Sequence, residues 1–110
     1  MSYDCYMTID TGGEWPADVC DIGNMTSNVS GMWAKALGFP LADMEGWTGD
    51  VVGKHVHRAI AAIADPETRH EYEAMNPSNG WGSVGAAEKY LHSILDACRK
   101  HPKAKLRISR

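Results

Sequence analysis

The sequence predicts an α+β fold: a small antiparallel sheet, built from an N-terminal hairpin and a C-terminal strand, with three to four helices packed on one face. Three observations carry that expectation. Apolar and polar residues alternate at both ends of the chain, apolar positions step by three and four through the middle, and turn sequences rich in Gly, Pro and Asn separate the segments. The chain has 110 residues, 44% hydrophobic and 23% charged, with 11 Gly and 5 Pro, which suits one soluble domain over residues 1–110. A domain of this size buries roughly 60 to 70% of its extended-chain surface, enough for a core without metals or disulfides.

In residues 3–10, Tyr3, Cys5, Met7 and Ile9 share one face and Asp4, Tyr6, Thr8 and Asp10 the other, the pattern of a half-buried strand. Residues 11–16 supply a glycine turn, and residues 17–22 return as a second strand with Cys20 and Ile22 on one face. Pro16 stands at its start, where a missing ladder donor is tolerated. Residues 23–28 break the period. Val29, Met32, Trp33 and Leu37 then fall at helical spacing, with Ser27 or Asn28 as N-cap and Gly38 as the stop.

Residues 38–50 read as loop. Val52, Val56, Ala59 or Ile60, and Ile63 predict a helix from Val51 to about Ala64; Asp65, Pro66 and Glu67 restart a short one that runs through Met75. After the turn-rich residues 76–82, Ser83 caps a long helix with the apolar stripe Val84, Ala87, Leu91, Ile94, Leu95 and Cys98; Glu88, Lys89, His92, Asp96 and Arg99 face water. His101 and Pro102 end it. In residues 103–110, Ala104, Leu106 and Ile108 point inward and Lys105, Arg107 and Ser109 outward, a third strand.

Net charge is −3 at pH 7 and unevenly divided: residues 1–50 hold eight acids against Lys35, residues 51–110 ten basic against six acidic side chains. If the C-terminal strand lies beside the hairpin, Lys105 and Arg107 facing Asp4, Asp10 or Asp18 would absorb part of the asymmetry. Six Lys and Arg without an acid fill residues 99–110. With a pI of about 5.9 and no Phe, Tyr or Trp among them, they read as the solvated face of an edge strand, and nucleic acid is not an expected partner.

Cys5, Cys20 and Cys98 are odd in number, lack Cys-x-x-Cys spacing and sit among apolar residues, so they read as buried free thiols. No apolar run approaches the roughly 20 residues of a membrane-spanning helix, and the opening Met1, Ser2, Tyr3, Asp4 lacks a signal-peptide layout. A cytoplasmic location without a membrane partner is expected.

Two runs invite a binding role. Asn24, Thr26, Ser27 and Asn28 bring amides and hydroxyls to a helix start, where partial positive charge favours a phosphate or carboxylate, and Trp33 offers a stacking face. The plain alternative is that they only cap the helix. In the second run, Asn79, Gly80 and Trp81 place an indole beside glycines, either plugging the core or facing a partner. If both runs meet at one rim, they form a polar pocket with tryptophan walls. His55 and His57, two apart, diverge on a helix, and no His-Glu-x-x-His, zinc spacing or Gly-x-Ser-x-Gly elbow occurs. No catalytic residue, metal or cofactor is assigned.

The pattern Thr26, Ser27, Asn28, Val29, Ser30 with Met32 and Trp33, then residues 76–82 and the ending from Ala97 to Arg110, resembles a family of small uncharacterised proteins encoded by bacteriophages of actinobacterial hosts. The resemblance implies a phage accessory protein in a bacterial cytoplasm, of the kind that binds a host protein or captures a host signalling nucleotide in counter-defence. The leading expectation is therefore a non-catalytic binding protein whose rim pocket, made of Asn24, Thr26, Ser27, Asn28, Trp33, Asn79, Gly80 and Trp81, takes a small anionic ligand. The alternative is an inhibitor or modulator of a host protein, anchored by Trp15, Trp47 or Trp81. A second alternative, a small metal-dependent hydrolase or nuclease, requires His55, His57 or His70 gathered with acids. An unpaired sheet edge would also serve a homodimer.

Overall fold

The structure, a computed structural model, describes residues 2–77 and 82–110. Strand β1 (Ser2–Ile9) is followed by β2 (Ala17–Thr26), helices α1 (Ser30–Leu37), α2 (Gly49–Ala64), α3 (Arg69–Glu73) and α4 (Val84–Lys100), and strand β3 (Lys105–Ser109). The sheet is antiparallel in the order β2-β1-β3, the expected α+β architecture.

Alternation puts β1 at the centre. Tyr3, Cys5 and Met7 are buried, while Ile9, on the same face by period, is 41% exposed at the strand's last residue. The second strand is longer than the sequence suggested, because two bulges reset its period. Cys5 pairs with Gly23 and Tyr6 with Asp21, which leaves Ile22 unmatched; Met7 pairs with Cys20 and Thr8 with Asp18, which leaves Val19 unmatched. Pairing then continues to Asn24 and Thr26, the residues expected in a break. Cys20 lies on this outer strand and is only half-buried, unlike Cys5 and Cys98; all three thiols are free.

The two sheet edges are finished differently. Beside β3, residues 45–48 run as a cover: Gly46 donates to the Leu106 carbonyl, Leu106 to the Trp47 carbonyl, and the Ile108 N–H to Glu45 Oε1. This segment also supplies the partner of Arg107, whose Nη1 lies 3.0 Å from Glu45 Oε2. Arg107 thus stands opposite Tyr6 and Lys105 opposite Thr8, and Arg107 pairs with Glu45 in place of the expected Asp4, Asp10 or Asp18. Lys103 joins Asp50 at 3.3 Å, a second bridge between the acidic and basic halves.

Helix ends follow local chemistry. Thr26 Oγ1, rather than Ser27 or Asn28, accepts the Asn28 N–H at a short 3-10 turn (Ser27–Val29) that leads into α1. Gly38 ends α1 in the left-handed region at φ 88°, a conformation that costs a Cβ-bearing residue about 1 kcal/mol. The expected loop over residues 38–50 contains a second 3-10 turn, Leu41–Met44, which drops Leu41 and Met44 into the core, and α2 starts at Gly49. Thr68 Oγ1 and Arg69 Nη1 bond the Ala62 and Ile63 carbonyls, so the chain after α2 turns tightly before α3. Ser83 Oγ accepts the Ala86 N–H, and every apolar-stripe residue named for α4 is buried, joined by Tyr90 and Ala97.

Trp33 is the centre of the core. It is fully buried, edge-on to Tyr3 at 5.3 Å, stacked on Tyr90 at 5.5 Å, and its Nε1 donates to the Ala87 carbonyl. The helical spacing placed it correctly, and that placement denies it the ligand-stacking role also expected of it. No helix among the described residues is long and apolar enough to cross a membrane.

Candidate functional site

The expected rim pocket is assembled only in part. Asn24 is exposed on β2 and donates its Nδ2 to Ser2 Oγ at 2.9 Å. Thr26 serves the turn, and Ser27 lines an open cavity of about 460 Å³ with Ser2, Tyr3 and Arg110. Asn28 is exposed at the same turn. Asn79, Gly80 and Trp81 lie outside the described residues. The end of their run does reach this rim: a Cβ on Gly82 would stand 2.7 Å from Val29 Cγ1 and 3.0 Å from Thr26 Cγ2. Asn76 Oδ1 accepts the Val84 N–H, so the start of the run helps to cap α4.

The histidines do not converge. His55 packs edge-on to Phe39 at 5.3 Å and tilted against Trp47 at 5.5 Å, with Arg58 Nη2 donating to its Nδ1 at 3.0 Å. Trp47, half-buried in that trio, is held by its own chain. Among the described residues, no three His, Cys, Asp or Glu side chains are grouped so as to hold a metal ion.

The hairpin tip is arranged otherwise. Every residue from 10 to 16 is exposed, and Trp15 is 77% so. Asp10 Oδ1 accepts the Gly12 N–H at 2.9 Å and shapes the turn, and Pro16 fixes the backbone behind the indole. Gly13, Glu14 and Pro16 bend toward the sheet's outer face, where with Thr8, Asp10, Lys105 and Arg107 they surround a small cavity of about 270 Å³. Thr8 is buried there at 4% exposure. The tip thus presents one indole, with Ile9 exposed nearby in the chain and Asp10, Glu14 and Asp18 as flanking acids. Trp15 was legible in the sequence only as one of three anchors, with Trp47 and Trp81; the signal that could have singled it out is its place inside a Gly-Gly-x-x-Pro turn, which has no helix or strand face to bury it.

A second feature had no motif. Between α2 and the last turns of α4 runs an open groove of about 430 Å³, lined by Gly49, Gly53, Lys54 and His57 on one side and Leu95, Cys98 and Arg99 on the other. Asp50 and Pro102 close one end. Asp50 is occupied: its carboxylate accepts from the Thr48 hydroxyl, Lys103 Nζ and the Val51 N–H, and these, the hydroxyl foremost, hold its carboxyl below the ordinary value of 3.8. Burial pushes the Cys98 thiol up to about 12, so the sulfur lining the groove is a neutral apolar surface.

Fold and surface define a small α+β domain with an aromatic hairpin tip and an open interhelical groove. In comparisons with protein-family models, curated proteins and solved structures, nothing matches this chain.

Proposed function

We propose that this protein is a non-catalytic binding module that docks on another protein through its hairpin tip, with Trp15 as the anchor. The observation that carries this reading is the 77% exposure of Trp15 in a molecule that fully buries Trp33. Burying an indole in a partner's pocket removes on the order of 150–200 Å² of mostly apolar surface, worth ~4–5 kcal/mol at ~25 cal/mol per Å². Tryptophan is enriched at interface hot spots because it delivers that area with few rotatable bonds. The flanking Asp10, Glu14 and Asp18 select an apolar pocket with a basic rim and make association sensitive to salt. The resemblance to phage-encoded proteins supports a host protein as that partner.

The test compares immobilised wild type and Trp15→Ala in lysate of the bacterium where the protein is made. Wild type is expected to retain a defined protein and Trp15→Ala to lose it, while the two melt together because Trp15 is 77% exposed and stands outside the core cluster. Equal retention by both would overturn the reading.

A small anionic ligand at the Ser27 rim is the second reading, favoured by the cavity that Ser27 shares with Ser2 and Arg110. It ranks below the tip because Trp33 lies in the core. Identical melting of wild type and Ser27→Ala across a panel of linear and cyclic nucleotides would remove it.

A further inference from the structure

The groove between α2 and α4 combines an apolar floor with cationic side chains at its mouth. The floor is made of Gly53, Leu95 and the neutral Cys98, and the mouth carries Lys54, His57 and Arg99; the carboxylate in its lining, Asp50 at the closed end, is already engaged by Thr48, Lys103 and the Val51 N–H. Among the described residues no carboxylate lies within ion-pair distance of Lys54 or Arg99, as is also true of the surface cations Arg58, Lys89, Lys100, Lys105 and Arg110; what sets Lys54 and Arg99 apart is that both line one apolar groove. Two unpaired cations above an apolar floor are complementary to one negative charge on an apolar body.

The two glycines of α2 separate structural need from function. A Cβ on Gly49 would stand 2.6 Å from the His101 carbonyl oxygen and 3.2 Å from Pro102 Cα, so close packing against the chain after α4 requires glycine there. Gly53 is different. A Cβ at that position would meet Cys98 Cβ at 3.5 Å and Leu95 Cδ1 at 3.8 Å, which is ordinary contact. Packing does not demand glycine at this helix-interior position, where it lowers helix stability. Its consequence is an open floor at the middle of the groove, one turn along from Gly49 and beside Lys54.

We infer that this groove binds a small amphiphile: a carboxylate on an aliphatic body, with the carboxylate between Lys54 and Arg99 and the body over Gly53, Leu95 and Cys98. The volume of about 430 Å³ lies within the range of small-molecule sites, roughly 300–1,000 Å³. The site is independent of the hairpin tip, and Trp15→Ala leaves it intact.

Octanoate is the probe, titrated into the full chain and followed by backbone amide chemical shifts, with 1-octanol and acetate as comparators lacking the charge or the body. Octanoate is expected to give saturable shifts centred on Gly53, Lys54, Leu95, Cys98 and Arg99, and each comparator to bind at least about tenfold more weakly. Lys54→Gln combined with Arg99→Gln is expected to weaken octanoate by about tenfold or more without changing 1-octanol. Gly53→Leu, which fills the floor, abolishes both while the fold persists in the spectrum. No saturable octanoate shift, shifts centred elsewhere, or equal affinity in these variants would overturn the inference. So would an acidic amphipathic peptide that fills the groove where octanoate does not, since the groove would then belong to a protein partner.

Discussion

Three of the four tryptophans show how one residue type takes different roles by position. Trp33 falls on an apolar helical stripe and becomes the core's central ring; Trp47 is half-buried against Phe39 and His55; Trp15, in a turn, stays in water. Periodicity sets Trp33 apart, and periodicity was readable. The cysteines follow the same logic with one exception. Cys5 and Cys98 sit on core faces, and burial raises their thiols to about 11 and about 12, while Cys20 is half-buried on the sheet's outer strand. Burial also pushes the Tyr90 hydroxyl up, and it donates to the Gly23 carbonyl at 2.7 Å, tying α4 to that strand. A thiol whose pKa rises on folding is held protonated. Its stabilising contribution is complete below the ordinary value of 9.0 and is lost as pH climbs through the raised values. Near pH 8, a thiol-reactive disulfide reagent should label Cys20 alone in the folded protein and all three cysteines in denaturant, and the folded protein should lose stability above about pH 9. Rapid labelling of Cys5 or Cys98 in the folded state would show that the strand and helix faces are assigned wrongly.

At the scale of elements, the stripes of α2 and α4 and the start of the second strand were legible, but the full length of that strand and the bounds of α3 were not. The helix expected to restart at Asp65, Pro66 and Glu67 and run through Met75 begins at Arg69, after Thr68, and ends at Glu73. The stripe of α4, its Ser83 cap and the Gly38 stop follow from residue type and spacing, each set by a contact within one or two turns. The bulges at Val19 and Ile22 depend on which residue of β1 each position faces, a nonlocal choice with no local code, so the strand was cut short at residue 22. The groove was hidden for the same reason, since Gly53 and Arg99 are 46 positions apart and meet only when α2 packs on α4. The glycines of α2 give the element-scale prediction. Gly53→Ala should stabilise the protein by about 0.5–1 kcal/mol, because helix propensity improves and the new methyl makes ordinary contacts. Gly49→Ala should destabilise it by roughly 1–3 kcal/mol, because its methyl would press on the His101 carbonyl at 2.6 Å. Chemical denaturation with an unchanged m-value measures both. The opposite order would place the α2–α4 contact elsewhere.

For the molecule as a whole, measuring 47 × 26 × 19 Å, the arrangement of edges and charges matters more than any one contact. Residues 45–48 cover the β3 edge, and the β2 edge is interrupted by two bulges and carries Asp18 and Asp21, features that discourage pairing with a second chain. The acidic half supplies the hairpin tip, the basic half the cationic groove, and Lys103 to Asp50 and Arg107 to Glu45 join them. The order of strands and helices was readable from sequence; the exposure of Trp15 was not, because it depends on how the hairpin turn sits against the rest of the fold. Docking of a partner at the tip around Trp15 is tested most directly by a photo-crosslink placed in that tip. A photoreactive phenylalanine analogue placed at Glu14, beside the indole, is compared with the same analogue at the exposed Arg58 on α2, both irradiated in lysate of the bacterium where the protein is made. A discrete adduct is expected from position 14 only, suppressed by excess wild type and not by excess Trp15→Ala. No adduct at position 14, or the same adduct from position 58, would contradict docking at the tip.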